Sequence, residues 1–94
     1  LKIHLVVAIT VVAAGFYFDI TNVEWCIVLI TIALVISLEM INSSLENIAD
    51  LASPEYHPLA GKAKDIAAGA VLFAAVVAVI VGVLVFLKYL SGGS

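Results

Sequence analysis

Three long apolar runs, separated by short polar connections, dominate the sequence. The first run covers residues 3–18, the second residues 25–51 and the third residues 61–90. Of the 94 residues, 65% are hydrophobic and 12% are charged, which leaves too few polar side chains to cover a soluble domain of this size. A helix needs about 20 apolar residues to cross a hydrocarbon core, and the first run is slightly shorter than this. The sequence therefore predicts an all-α membrane protein with three transmembrane helices per chain, forming a single membrane domain over residues 1–94.

The connections between the runs predict where the helices end and how they are oriented. Two prolines in the stretch 53–58 break the second run, because proline disrupts a helix interior. Lys2 precedes the first run, Lys62 and Lys64 lie beside the second connection, and Lys88 lies at the far end. Since lysine and arginine are enriched in cytoplasmic loops, this distribution places the N-terminus and the second connection in the cytoplasm.

The two ends of the chain and its net charge allow three further, less specific predictions. The sequence begins at Leu1, directly before an apolar run, so we expect further residues to precede it. Residues 91–94 read Ser-Gly-Gly-Ser, a composition typical of a flexible tail. The net charge is −3, and without a basic cluster the sequence gives no indication of a nucleic-acid partner.

The second run contains a stripe of acidic and amide side chains towards its C-terminal end. These residues are Glu39, Asn42, Glu46, Asn47 and Asp50. At about 100° per residue in a helix, Glu46 and Asp50 lie about 20° on either side of Glu39, and Asn42 lies about 60° away. Four of the five side chains therefore share one helix face, and Asn47 lies off it.

Glu39 is the most costly member of this stripe. It follows the uncharged stretch 25–38, so it lies inside the bilayer edge, where an ionised carboxylate is costly unless it is paired, hydrated or protonated. Across the proline-containing break, Lys64 and Asp65 open the third helix at the depth of the acidic stripe. An ammonium group beside carboxylates suits both a phosphate and a metal ion.

Two other interpretations of the stripe remain open. Polar side chains can hold membrane helices together without any further role. Intramembrane carboxylates can also relay protons or ions, which predicts a small ion- or proton-coupled transporter subunit.

Two segments resemble the conserved motifs of a known family. Residues 39–50, Glu-Met-Ile-Asn-Ser-Ser-Leu-Glu-Asn-Ile-Ala-Asp, resemble the signature of the prokaryotic diacylglycerol kinase family, although Ala49 stands where that signature usually has Val. Residues 55–65, Glu-Tyr-His-Pro-Leu-Ala-Gly-Lys-Ala-Lys-Asp, resemble the next conserved stretch of the family at the expected distance. The two motifs occur in the family's order, and the resemblance covers almost the whole chain.

Details of the second motif favour one branch of the family. Pro58 and the Ala-Ala-Gly-Ala run at 67–70 look more like the Gram-positive branch, whose members phosphorylate undecaprenol. Ala68 occupies the position of a serine in the Gram-negative branch, which acts on diacylglycerol. The resemblance therefore favours undecaprenol as the acceptor.

The resemblance implies an architecture and an activity. It implies a homotrimer of three-helix subunits in the bacterial cell membrane, with active sites shared between neighbours at the cytoplasmic surface. The implied activity is that of an ATP-dependent lipid kinase, which transfers the γ-phosphoryl group to a lipid hydroxyl with Mg²⁺ as the cofactor. It also implies an amphipathic N-terminal helix with a second metal-binding glutamate, which would precede Leu1.

The same resemblance implies roles for individual residues. Glu39 matches the proposed general base and marks where the lipid hydroxyl would arrive, with Ala68 on the lipid side. Asn42 would bond the base or the substrate hydroxyl, and Glu46 would bind Mg²⁺. Without the resemblance, the residue types at 55–57 favour an ordinary exposed loop over a nucleotide-binding segment. The residues expected to bind ATP are Glu46, Asp50, Glu55, Tyr56, His57, Lys64 and Asp65.

Overall fold

Three α-helices make up the computed structural model, which describes residues 1–53, 55 and 57–92. They are α1 (Lys2–Phe18), α2 (Asn22–Ala52) and α3 (Pro58–Leu90). The start of α2 contacts the end of α3, and the end of α2 contacts the start of α3, so these two helices are antiparallel. They pack along their length, whereas α1 packs more lightly on α2. The result is a rod about 55 Å long and less than 20 Å wide.

The first helix ends in a tight turn that leads directly into α2. The N–H of Asp19 donates to the carbonyl of Phe16 (3.3 Å), and the N–H of Ile20 donates to that of Gly15 (3.1 Å). Asp19 adopts a left-handed conformation with φ 54°, which aspartate tolerates better than most residues. This arrangement satisfies carbonyls at the helix end and reverses the chain.

The second helix begins three residues earlier than predicted because of a capping box. The Thr21 hydroxyl accepts from the Glu24 N–H (3.2 Å), and the Thr21 N–H donates to Glu24 Oε1 (2.9 Å). These two bonds satisfy donors that a helix start leaves free. The helix therefore starts at Asn22 rather than at Trp25.

The third helix also begins three residues earlier than predicted, at Pro58 rather than at residue 61. Proline suits the first helical position because its φ is already helical and its missing N–H is not needed there. His57 caps this end, since its Nδ1 accepts from the Leu59 N–H (3.1 Å).

Among the described residues few side chains are buried; Val35 and Ala74 lie in the middle of α2 and α3, and the other three lie towards the first connection. Ile20, Val28 and Val85 form a cluster, surrounded by half-buried aromatic residues that include Trp25 and Phe18. Most other large apolar side chains are exposed, as expected for a helical surface in contact with lipid. Both α2 and α3 are long and apolar enough to cross a membrane, and α1 is a shorter apolar helix of 17 residues. The all-α prediction is thereby confirmed, and two of the three helices have the length and composition of a membrane-spanning helix.

Candidate active site

The polar stripe of α2 faces the neighbouring helices for most of its length. Glu39, Asn42 and Glu46 are all partly buried, whereas Asn47 and Asp50 are exposed. This pattern agrees with the predicted helix face at its membrane end. Towards the end of α2 the stripe emerges from the helix packing.

The depth of each carboxylate follows from an ion pair at the opposite end of the rod. Glu24 Oε2 lies 3.0 Å from Lys88 Nζ, and Glu24 Oε1 accepts from the Tyr89 hydroxyl (2.5 Å). If this cluster marks one membrane surface, the helical rise places Glu39 about 22 Å further along α2, and Asp50 about 39 Å. A hydrocarbon core of about 30 Å then contains Glu39 and ends before Asp50.

Glu39 is covered by the first turn of α1. Its side chain is 13% exposed. One carboxylate oxygen, Oε2, contacts His4 Nδ1. The deep carboxylate therefore has a hydrogen-bonding partner, which a charge in apolar surroundings requires.

Asn42 bonds the next acid along the stripe. Its Nδ2 donates to Glu46 Oε1 at 3.4 Å, and its Oδ1 is buried without a hydrogen-bond partner among the described residues. Asn42 is therefore hydrogen-bonded to Glu46, the expected Mg²⁺ ligand, and not to Glu39, the expected general base. The Oδ1 atom remains able to accept one hydrogen bond.

A lysine from α3 completes the outer end of the stripe, as the sequence suggested. Lys64 Nζ forms an ion pair with Asp50 Oδ1, and it also interacts electrostatically with Glu46. The short connection between α2 and α3 brings these groups together. Lys64 is thus paired with Asp50, with Glu46 one turn earlier on α2, at this end of the α2–α3 hairpin.

The remaining predicted residues lie around this end without joining the cluster. Asp65 and Ala68 are exposed on α3. Glu55 is also exposed, and its carbonyl accepts from the Ser53 hydroxyl (3.0 Å). His57 is exposed and acts as the cap of α3, while Tyr56 lies outside the described residues.

The acids of the described segments contain no ready-made metal cage. Within residues 1–53, 55 and 57–92, no three Asp, Glu, His or Cys side chains converge on one point. Mg²⁺ is commonly held by one or two carboxylates together with substrate phosphates and water. The half-buried Glu46, with Lys64 nearby, fits that manner of binding.

An apolar cavity lies between the three helices on the membrane side of Glu39. Its volume is about 410 Å³, and it is lined mainly by Val, Ile and Ala side chains, with His4 and Ile36 among them. Ile36 lies one turn before Glu39, and His4 contacts Glu39 directly. The cavity therefore ends beside the deep carboxylate.

The sequence profile of the prokaryotic diacylglycerol kinase family matches residues 1–86. The chain belongs to this family. Membership confirms the predicted resemblance and the lipid kinase class, and the transporter alternative receives no support from the comparisons.

Curated relatives of the family carry two different names. The undecaprenol kinase of Bacillus subtilis (strain 168) is 40% identical over 89 residues, which are 95% of this chain and 72% of that protein. A diacylglycerol kinase of Synechocystis is 42% identical over 82 residues, 86% of this chain and 47% of the relative. The diacylglycerol kinase of Escherichia coli K12 is 35% identical over 75 residues, which are 80% of this chain and 62% of that protein. This chain thus spans less than two thirds of both diacylglycerol kinases.

Two contacts, one at the site and one at the opposite end of the rod, have signals in the sequence. His4 is a titratable side chain in the first apolar run, but its pairing with Glu39 depends on how α1 packs against α2. Glu24 lies beside the first connection and Lys88 near the end of the third run, so the predicted orientation puts both at the non-cytoplasmic side. Their opposite charges at one level already indicated an ion pair.

Proposed function

We propose that this family member transfers the γ-phosphoryl group of ATP to the hydroxyl of undecaprenol, at the cytoplasmic face of the bacterial cell membrane and with Mg²⁺. The observation that supports this most directly is the position of the acids along α2. Glu39 lies beside an apolar cavity, and Asp50 with Lys64 lies at the outer end of the α2–α3 hairpin; with the Glu24–Lys88 cluster at one membrane surface, the first falls at hydrocarbon depth and the second beyond the hydrocarbon core. One end suits a lipid alcohol and the other suits a nucleotide in water.

Glu39 is the proposed general base. Its carboxylate takes the proton of the lipid hydroxyl as the lipid oxygen forms a bond to the γ-phosphorus. The bond between that phosphorus and the β–γ bridging oxygen breaks, and its electron pair leaves with ADP. Such transfers depend mainly on positioning and charge neutralisation. The hydrocarbon chain of the lipid would occupy the cavity that ends beside Glu39.

The outer end of the stripe is the proposed nucleotide site. Lys64 neutralises phosphate charge, since an ammonium group binds phosphate oxygens as a point charge. Glu46, held by the Asn42 amide, is the proposed Mg²⁺ ligand, and a bound Mg²⁺ would neutralise charge on the phosphates. Asp50, Asp65, Glu55 and His57 lie at the same end, and together with Tyr56 they would contact the nucleotide. Ala68 lies on the lipid side, one turn deeper on α3.

Assembly as a homotrimer, with α1 as a third membrane-spanning helix, belongs to the same proposal. The exposed apolar surface of all three helices and the open arrangement of acids around Glu46 are compatible with sites completed by a neighbouring subunit. Cross-linking of the purified protein in micelles tests this directly. A trimeric band is the expected product.

A lipid phosphorylation assay tests the activity itself. The purified protein is incubated with ATP labelled at the γ-phosphate, Mg²⁺ and either undecaprenol or diacylglycerol in mixed micelles. We expect labelled undecaprenyl phosphate as the faster product. Faster labelling of diacylglycerol would reverse the choice of acceptor, and absence of labelled lipid with both would contradict the kinase.

A further inference from the structure

His4 connects the first helix to the deepest carboxylate of the stripe. It lies in the first turn of α1 and is partly buried, and its Nδ1 contacts Glu39 Oε2. Apart from this contact and the close packing near Gly15, α1 is attached to α2 only lightly. The contact between His4 and Glu39 is thus a polar link between α1 and α2, and it is made at the proposed general base.

A glutamate side chain is a flexible support for a reactive group. Its rotatable bonds allow the carboxylate several orientations, and only some of these direct an oxygen at a substrate hydroxyl. Catalysis suffers severely when a reacting group is displaced by as little as about 1 Å. A hydrogen bond to one carboxylate oxygen removes much of this freedom.

The surroundings of His4 place it where such a restraint matters. The imidazole lines the apolar cavity together with Ile3 and Ile36, so one side of the ring faces the space proposed for the lipid. Its Nδ1 faces the carboxylate that would receive the proton of the hydroxyl. The ring therefore lies at the junction between the cavity and the base.

We propose that His4 is a positioning residue for Glu39, donating through Nδ1–H to Oε2 and so fixing the carboxylate towards the end of the cavity. The imidazole keeps its own proton throughout, and the proton of the lipid hydroxyl passes to Glu39. This inference rests on the proposed kinase function. It predicts a specific effect on the chemical step and not on the binding of either substrate.

Substitutions at His4 separate this role from simple packing. His4→Phe keeps an aromatic ring but removes the donor, and we expect kcat to fall by about 10- to 100-fold. The KM values for lipid and for ATP should change by less than about twofold, because neither substrate is held by Nδ1. His4→Asn places an amide nitrogen near the position of Nδ1 and should restore most of kcat, whereas His4→Gln extends the amide beyond it and should not.

Thr10→Val serves as the matched control on the same helix. Thr10 is exposed, and its hydroxyl donates locally to the Val6 carbonyl (2.8 Å), so kcat should stay unchanged. If His4→Phe fails to assemble in micelles, the comparison of His4→Asn with His4→Gln decides the matter. Equal kcat values for these two variants would overturn the positioning role.

A double-substitution cycle provides a second readout. If His4 acts only through Glu39, His4→Phe should not lower the residual rate further in a Glu39→Gln background. A multiplicative further loss would overturn the inference. Absence of labelled lipid from the unsubstituted protein would overturn the proposed function as well, whereas equal rates from all His4 variants would overturn the inference alone.

Discussion

Glu39 and Glu46 lie about two helical turns apart on α2, but their surroundings differ. Glu39 is covered by α1 and lies beside an apolar cavity, while Glu46 is joined to Asn42 and lies near Lys64. Two carboxylates in such different environments can take different roles in one reaction. The first suits proton transfer and the second suits a metal ion.

Substitution of Glu39 should abolish turnover without loss of nucleotide binding. Glu39→Gln keeps the size of the side chain but removes the group that accepts a proton, and general base catalysis contributes about 10²- to 10⁴-fold in rate. Initial rates of lipid phosphorylation measure the loss, and equilibrium binding of an ATP analogue measures the retained affinity. Near-normal turnover in this variant would contradict the assignment of the base.

Substitution of Glu46 should change the metal dependence of the reaction. Loss of a group that only supports a metal ligand weakens metal binding by about 10- to 100-fold. Because Glu46 is the proposed ligand itself, we expect Glu46→Ala to raise the Mg²⁺ concentration for half-maximal rate by about tenfold or more. The rate is measured across a Mg²⁺ titration at saturating ATP. Asn47→Ala is the control, because Asn47 is exposed and lies off the stripe. An unchanged Mg²⁺ titration for Glu46→Ala would remove Glu46 from the metal site.

The packing of α1 against α2 depends on a glycine beneath an aromatic ring. A Cβ added at Gly15 would lie 2.6 Å from Trp25 Cη2 and 3.2 Å from Ile20 Cδ1. Gly15→Ala therefore forces the indole or the turn to move, and overpacking of this kind costs about 1–3 kcal/mol. We expect a lower thermal unfolding midpoint in micelles for this variant.

Gly69 provides the comparison for that experiment. It lies in α3, and a Cβ there would meet no atom within 4 Å, so Gly69→Ala should leave the unfolding midpoint unchanged or raise it slightly. Alanine favours a helix over glycine by roughly 1 kcal/mol. Equal midpoints for the two alanine variants would contradict the importance of the contact at Trp25.

The ends of the helices show how far the sequence could be read. The apolar runs located all three helices, but the second and third runs begin about one turn after the starts of α2 and α3. Hydrophobicity gives no signal for the capping box of Thr21 and Glu24, or for the His57 cap followed by Pro58. This local capping sets where α2 and α3 begin. The stripe on α2 followed from the helical period alone. By contrast, the contact between His4 and Glu39 joins residues far apart in the chain and required the packing of two helices.

The whole molecule has an orientation that labelling can test. The lysine distribution predicts that the connection between α2 and α3 is cytoplasmic and that the turn at 19–21 lies on the other side. In a Cys26→Ser background, a membrane-impermeant thiol reagent added to spheroplasts should label Asn22→Cys but not Ala52→Cys. Inverted membrane vesicles should give the opposite result. The reverse pattern in both preparations would contradict the proposed cytoplasmic site.

The ion pairs at the two ends of the α2–α3 hairpin define a fixed length. One joins Glu24 to Lys88 and the other joins Asp50 to Lys64, about 39 Å apart along the helix. Because a rigid hairpin cannot shorten, a thinner bilayer must tilt it or deform around it, and either response shifts Glu39 relative to the lipid headgroups. The proposed base then meets the hydroxyl of a bilayer-anchored lipid at a different depth, so we expect the rate of phosphoryl transfer to depend on membrane thickness. The proposed reaction should be fastest in a bilayer whose thickness matches this hairpin.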